Sequence, residues 1–111
     1  MKKMILTLSL LASFIYADTY SEGFKFFIKA KKELRKGNTE NANSLFLKAK
    51  DDFKKSKDNA LSLVKLSVLY CNGWGVNQDK TKAISYLKQA KAIIPNINTF
   101  DKCVKQLKEN K

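Results

Sequence analysis

The sequence predicts an all-α fold, and three features of the 111-residue chain carry that prediction. Apolar residues recur three and four positions apart in five successive segments, which is the spacing of a helix with one buried face. No segment alternates between apolar and polar residues for long enough to form a strand. Glycine, asparagine and the single proline separate the segments, so we expect helices joined by short turns. The length allows one small domain with a single core.

The N-terminal segment has the residue order of a bacterial secretory signal. Two lysines precede an apolar run at residues 4–15, and Ala17 comes immediately before the first acidic residue, Asp18. We therefore expect residues 1–17 to be a cleaved signal peptide and residues 18–111 to form one periplasmic or secreted domain. The apolar run is shorter than the roughly 20 residues that span a bilayer as a helix, so no transmembrane span is expected after cleavage. The alternative is an uncleaved N-terminal anchor.

Helices one and two are predicted on either side of a Gly37-Asn38 break. Helix one is expected from about Ser21 to Lys36, and Thr39 is placed to cap helix two. The residues expected to face the core share the helical spacing, and they are Phe24, Phe27, Ala30, Leu34, Ala42, Leu45, Phe46, Ala49 and Phe53.

Three further helices are predicted in the second half of the chain. Asp58-Asn59 is a stop-and-cap signal, after which a strongly apolar helix three is expected over 60–71. Asp79 is placed to cap helix four, expected over 81–94 and ended by Pro95. A last amphipathic helix is expected over about 98–108. The apolar residues assigned to helices three and five are Leu63, Leu66, Leu69, Tyr70, Phe100, Val104 and Leu107.

Residues 60–92 also carry a longer pattern. Ten positions fit L-x-x-x-Y-x-x-G-x-G-V-x-x-D-x-x-K-A-x-x-Y-x-x-x-A, namely Leu66, Tyr70, Gly73, Gly75, Val76, Asp79, Lys82, Ala83, Tyr86 and Ala90. This segment resembles a Sel1-like repeat. Upstream, Ala30, Gly37, Asn38, Ala42, Phe46 and Ala49 resemble a tetratricopeptide repeat. Together the resemblances imply a short right-handed α-solenoid of two helical hairpins plus a C-terminal capping helix. The tetratricopeptide-like hairpin covers 21–57, the Sel1-like repeat 60–94 and the capping helix 97–109.

The repeat residues have structural roles that follow from their chemistry. Gly73 and Gly75 permit the positive φ that a sharp reversal requires. Asp79 can accept hydrogen bonds from the free amides that open helix four. Ala83 and Ala90 are small enough for helix four to approach helix three closely. None of these roles is catalytic.

The two cysteines, Cys71 and Cys103, would tend to pair in an oxidising compartment. An intramolecular disulfide is therefore expected. The alternatives are two buried free thiols or pairing between chains. Two cysteines without any histidine do not make a zinc site, so neither a metal nor a cofactor is expected.

Few residues could carry catalysis. The absence of histidine excludes a Ser-His-Asp triad and a Cys-His pair. Ser62 to Lys65 and Ser85 to Lys88 fit S-x-x-K, the nucleophile motif of penicillin-recognising enzymes, but the sequence lacks the partner S-D-N and K-T-G elements. Cysteine-rich Sel1-repeat proteins carry β-lactamase or penicillin-binding labels, yet this chain lacks their paired cysteines. We expect no enzyme activity, with a β-lactamase or penicillin-binding activity as the alternative.

The charge favours anionic partners. The chain has 22 basic and 10 acidic residues, a net charge of +12, and Lys2 and Lys3 are the only charged residues of 1–17. Long-range attraction to an anionic envelope polymer or lipid is one interpretation, and an ordinary solvated lysine-rich surface is the other. Nucleic acid is not expected as a partner, because no recognition motif is present.

The function expected from these features is that of a non-catalytic adaptor, which binds another protein or peptide in the cell envelope. Stacked helical hairpins present a concave face suited to recognition. Helices one and three are expected to line that face, with Lys25, Lys29, Lys32 and Lys65 as candidate contacts. Trp74 is either an exposed aromatic anchor for the partner or is packed against Val76 and Tyr70.

Overall fold

The computed structural model describes the backbone of residues 2–107 and the side chains of residues 19–107. The predicted signal peptide, residues 1–17, therefore lies outside the described side chains. Five helices are present: α1 Lys2–Arg35, α2 Thr39–Lys55, α3 Ala60–Asn72, α4 Lys80–Ile93 and α5 Lys102–Leu107. Within residues 2–107 there is no strand, which confirms the all-α prediction. Among the described residues, no helix is both long and apolar enough to cross a membrane.

Helices α1 and α2 pack along each other as a pair. Phe27 of α1 meets Phe46 of α2 edge to face, with ring centroids 5.8 Å apart. The two helices approach closely where Gly23 faces α2, because a Cβ at Gly23 would lie only 2.8 Å from the Phe53 ring. The predicted core residues of α2 are confirmed at Ala42, Phe46, Ala49 and Phe53, which are all fully buried.

Two details of this pair differ from the sequence prediction. Phe24, predicted on the buried stripe of α1, is 39% exposed, and its ring lies 5.4 Å from Lys65 Nζ of α3. Asn38, not Thr39, precedes the first residue of α2. Its side chain makes no cap hydrogen bond and donates instead to Glu33 Oε1 at 3.0 Å.

Helix α3 is the central element, because it contacts α2, α4 and α5. Its N-terminus is capped as predicted, with Asn59 Oδ1 accepting from Leu61 N at 2.9 Å. Its C-terminus ends at Gly73, which has φ 71° and donates its N–H to the Leu69 carbonyl. A left-handed glycine in this position is a common helix stop. Nearly every residue of α3 is buried, as its apolar composition predicted.

Helix α4 packs along α3 through small residues. Asp79 caps it as predicted, since its Oδ1 accepts from Lys82 N at 3.0 Å. Ala83 and Ala90 are fully buried, and this close approach allows the Ser67 hydroxyl of α3 to donate to the Ala83 carbonyl at 2.8 Å. Ser67 thereby satisfies a buried polar atom that would otherwise destabilise the core.

The C-terminal helix is shorter than predicted. Helix α5 begins at Lys102 rather than near residue 98, because Asp101 Oδ1 accepts from Val104 N at 3.0 Å and fixes the start of the helix. Val104 and Leu107 are buried as predicted, whereas Phe100, predicted to lie on the same apolar face, is outside the helix and 83% exposed. The end of the predicted helix, beyond residue 107, lies outside the described residues.

The two cysteine sulfurs lie at disulfide distance, in agreement with intramolecular pairing. Cys71 of α3 and Cys103 of α5 have their sulfurs 1.95 Å apart and their Cα atoms 6.0 Å apart. A Cα separation near 6 Å is typical of a disulfide. The bond attaches α5 to the most deeply buried helix and positions the 95–101 connector beside α3.

Candidate functional site

The turn between α3 and α4 is packed on α2. Gly75 has φ 73°, and a Cβ in its place would lie 2.7 Å from Phe46 Cβ, so both the conformation and the space require glycine. The Gly75 N–H donates to Asn43 Oδ1 of α2 at 3.2 Å. The turn therefore joins the α3–α4 pair to the α1–α2 pair, because its backbone lies against α2 and is hydrogen-bonded to an α2 side chain.

Trp74 is partly buried and stacks on Phe46, with ring centroids 5.1 Å apart and an interplanar angle of 13°. It also lies 6.5 Å from the Phe27 ring. Trp74 is therefore packed against the protein rather than fully exposed. The aromatic rings it contacts belong to α1 and α2, and Tyr70 is not among them.

The other repeat residues lie between α3 and α4. Tyr70 and Tyr86 stack with centroids 5.7 Å apart. Leu66 and Ala83 are fully buried, and Val76 is partly buried against the core. These positions form the contact surface of the α3–α4 pair, in keeping with the structural roles expected from their chemistry.

A groove of about 320 Å³ runs between α1, α3 and the 95–101 connector, and we call it the α1–α3 groove. This volume lies at the lower end of the range of small ligand sites. Its residues come from all three segments and are mostly apolar or aromatic. They are Tyr20, Phe27, Lys31, Leu61, Val64, Lys65, Val68, Asn98, Phe100 and Asp101.

Two lysines of this groove lie near the same aromatic ring. Lys65 Nζ lies 4.9 Å from the centroid of the Phe27 ring, and Lys31 Nζ lies 5.6 Å from it. Lys65 also lies 5.4 Å from the Phe24 ring, and Lys31 lies 5.9 Å from the Trp74 ring. Cations at these distances from a ring face are attracted to it. The rings therefore hold both ammonium groups at the groove.

Burial and charge act together on Lys65. Its removal from water lowers the pKa of its ammonium group, and the neighbouring Lys31 lowers the pKa further, while Asp101 acts in the opposite direction. Neither Lys31 nor Lys65 forms a salt bridge within the part of the chain whose side chains are described. Asp101, the acidic residue of the groove, accepts hydrogen bonds from Asn72 Nδ2 and Val104 N.

The other lysines expected to contact a partner do not line this groove. Lys25, Lys29 and Lys32 are exposed on a different face of α1, where Lys25 pairs with Glu22 at 3.5 Å. Of the four predicted lysines, the structure therefore places Lys65 alone beside the aromatic residues of α1.

Sequence reasoning missed Lys31, Tyr20 and Asp101 as residues of the groove. A usable signal was present for two of them, because Tyr20, Phe24, Phe27 and Lys31 follow helical spacing on one side of α1. Asp101 could have been identified as a helix cap but not as a wall of the groove. Its place depends on a contact with Asn72, 29 residues away.

The serines of the two S-x-x-K motifs bond to residues other than the lysines of those motifs. Ser62 is fully buried, and its hydroxyl is 2.7 Å from that of Ser56, whereas Lys65 lies over the ring of Phe27. Ser85 is exposed on α4 and accepts from Gln89 Nε2 at 3.3 Å. Among residues 19–107, no three histidine, cysteine or carboxylate side chains are grouped as metal ligands would be.

A second cleft, of about 860 Å³, lies between α2 and the α3–α4 turn. Its charged residues are Glu40, Lys50, Asp79 and Lys82, so acidic and basic groups are balanced. The α1–α3 groove is smaller but combines aromatic walls with an excess of positive charge, and it is the stronger candidate for a binding site.

No protein-family model, curated protein or solved structure matches this chain. The resemblance to Sel1-like repeats therefore rests on the ten positions of the sequence pattern. Function has to be argued from the chemistry of the α1–α3 groove, since a fold alone does not define an activity.

Proposed function

We propose that the protein is an exported, periplasmic adaptor of the Sel1-like repeat type, which binds a protein or peptide segment in the α1–α3 groove and catalyses no reaction. In this proposal α1–α2 is a tetratricopeptide-like hairpin, α3–α4 is the Sel1-like repeat and α5 caps a short right-handed α-solenoid. The groove then corresponds to the concave face between the first helices of the two hairpins.

The observation that carries the proposal is the composition of the groove. Its walls are side chains of α1, α3 and the 95–101 connector, and in α1 and α3 the backbone groups are bonded within the helices. Binding would therefore depend on side chains. Leu61 and Phe100 remain 46% and 83% exposed at its edge, which leaves apolar surface for a partner to cover.

Export is supported by two independent features. The N-terminal sequence has the order of a secretory signal, and the cysteines lie at disulfide distance. Disulfides persist in oxidising compartments and are rare in the cytosol of most bacteria. A periplasmic location fits both features.

Site-specific photocross-linking in living cells tests the adaptor function. A photoreactive phenylalanine analogue replaces Leu61, which is 46% exposed in the groove, or Ile93, which is 49% exposed on α4 outside it. We expect discrete cross-linked proteins from position 61 and not from position 93. Identical products from both positions, or none from position 61, would contradict the proposal.

The enzymatic alternative has a direct test. We expect the purified protein to leave a chromogenic β-lactam intact. Hydrolysis that disappears in Ser62→Ala or Ser85→Ala would instead establish the β-lactamase function. The third alternative, a cationic binder of envelope polymers or lipids, is separated from peptide binding by the experiment below.

A further inference from the structure

Lys31 and Lys65 are two cationic groups of the groove, and neither forms a salt bridge with a residue whose side chain the structure describes. Both ammonium groups lie within 5.6 Å of the centroid of the same Phe27 ring. The two charges repel each other, since Lys31 lowers the pKa of Lys65, and repulsion is stronger where protein displaces water. An anion placed between the two groups would relieve this repulsion and replace water lost from Lys65.

Asp101 offsets only part of this charge, since it acts to raise the pKa of Lys65 but is one carboxylate beside two ammonium groups. It lies in the same groove, but its carboxylate accepts from Val104 N at 3.0 Å and from Asn72 Nδ2 at 3.2 Å. These bonds fix the start of α5 and attach the connector to α3. The carboxylate is thus committed to the wall of the groove, and the groove retains an excess of positive charge.

Most of the remaining groove residues are apolar or aromatic. Tyr20, Leu61, Val64 and Val68 line the groove beside the lysines, and Phe100 stands at its edge with 83% of its surface exposed. A complementary occupant must therefore combine an anionic group with an apolar side chain. A volume of about 320 Å³ accommodates a few side chains rather than a folded domain.

We propose that the α1–α3 groove binds an acidic peptide segment, whose carboxylate lies between Lys31 and Lys65 and whose neighbouring aromatic or aliphatic side chain contacts Phe100 and Leu61. This inference rests on the proposed adaptor function and adds the chemistry of the partner. Charge complementarity is the argument for the occupant, since charged groups across an interface determine which partners are accepted. The lowered pKa of Lys65 agrees with it, because a bound carboxylate would reverse that shift.

The test compares two pools of capped, fluorescently labelled hexapeptides. Both pools carry phenylalanine or leucine at the same positions, and the remaining positions are aspartate or glutamate in one pool and asparagine or glutamine in the other. We expect the acidic pool to bind about tenfold more tightly, the effect of one charge-assisted contact. Lys31→Gln and Lys65→Gln should each remove most of that preference.

Lys32→Gln is the matched control, because Lys32 adjoins Lys31 in sequence but is exposed and outside the groove. Its binding should equal that of the unchanged protein. If Lys32→Gln weakens binding as much as Lys31→Gln, general surface charge is responsible and the acidic-peptide proposal is wrong. Equal binding of both pools that is lost in Phe100→Ala would also refute the acidic preference, while leaving the adaptor function intact.

Two other outcomes would overturn more than the preference for acidic peptides. If neither pool binds, both the acidic-peptide proposal and the adaptor function fail. Vesicles of phosphatidylglycerol provide the lipid arm of the experiment. If the vesicles bind in a manner that depends on Lys31 and Lys65 and displace the peptides, the groove is a lipid site and the peptide proposal is overturned.

Discussion

At the scale of single residues, Gly75 connects the two helix pairs. Its positive φ and its approach to Phe46 leave no room for a side chain, and its N–H is bonded to Asn43 of α2. The same residue is one of the ten positions of the repeat pattern. Its presence in that pattern thus has a physical cause in this chain.

Gly75→Ala should therefore destabilise the protein by about 2–4 kcal/mol, from the left-handed backbone together with overpacking against Phe46. Gly37→Ala is the control, because Gly37 also has positive φ, 87°, but a Cβ there meets nothing within 4 Å. It should cost only about 1–2 kcal/mol. Urea unfolding measures both, and equal losses would show that contact with Phe46 does not matter.

Lys65 is a residue at which the proposed binding role and stability oppose each other. Burial and Lys31 disfavour its charged form, so its pKa in the folded chain lies below the ordinary value of 10.5. The destabilisation is complete at pH values below the folded pKa. It disappears as pH rises to 10.5, where the unfolded lysine also loses its proton.

Lys65→Met keeps the apolar stem and removes the charge, so we expect its unfolding temperature at pH 7 to exceed that of the unchanged protein by about 2–4 °C. The difference should narrow as pH approaches 10.5. Thermal melts across this pH range measure it. A lower melting temperature for Lys65→Met would mean that attraction to the Phe24 and Phe27 rings outweighs the burial of the charge.

At the scale of elements, the C-terminal segment depends on long-range attachments. The connector and α5 are held to α3 by the Cys71–Cys103 pair, by the Asp101–Asn72 hydrogen bond and by Val104 and Leu107 in the core. The connector supplies Phe100 and Asp101 to the groove. Loss of the disulfide should therefore affect the groove as well as stability.

The double variant Cys71→Ser/Cys103→Ser should lose about 3–4 kcal/mol of stability, as expected for closing a loop of this length, here 32 residues in sequence separation. Hydrogen exchange should show lost protection in α5 and unchanged protection in α2. If the double variant and the unchanged protein have the same exchange pattern and the same melting temperature, the sulfur pair has no structural role.

The helices were largely predictable, whereas the groove was not. Local signals correctly identified the caps at Asn59 and Asp79 and the stop at Gly73, because a cap depends on residues a few positions away. The exposure of Phe24 and Phe100 could not be predicted from such local signals. Helical spacing gives the apolar side of a helix but not which neighbour covers it, and here Phe24 remains 39% and Phe100 83% exposed.

The position of Lys65 beside Phe27 and Lys31 depends on how α3 lies against α1, which helical spacing within one segment cannot predict. Sequence reasoning grouped Lys65 with Lys25, Lys29 and Lys32 because all were thought to share one face. The structure separates them, since α1 carries lysines on more than one side. Being a lysine is therefore a weak predictor of a place in the α1–α3 groove. The position of the lysine relative to the aromatic rings is a better predictor.

At the scale of the whole molecule, residues 18–111 carry 20 basic and 10 acidic residues, and their net charge of +10 attracts anions from a distance, whereas the proposed groove contacts are local. The first effect weakens with salt because exposed charges are screened, whereas the partly buried Lys65 is screened less. Attraction to the whole lysine-rich surface and binding in the α1–α3 groove can be distinguished by which residues the ligand contacts.

The most direct test of peptide binding in the α1–α3 groove is amide chemical-shift mapping by NMR, with the acidic hexapeptide pool added to the isotopically labelled protein. The account predicts that shifts concentrate at Tyr20, Lys65 and Phe100 and saturate with added peptide. Shifts confined to the cleft lined by Lys50 and Lys82, or spread evenly over the lysine-rich surface, would contradict it.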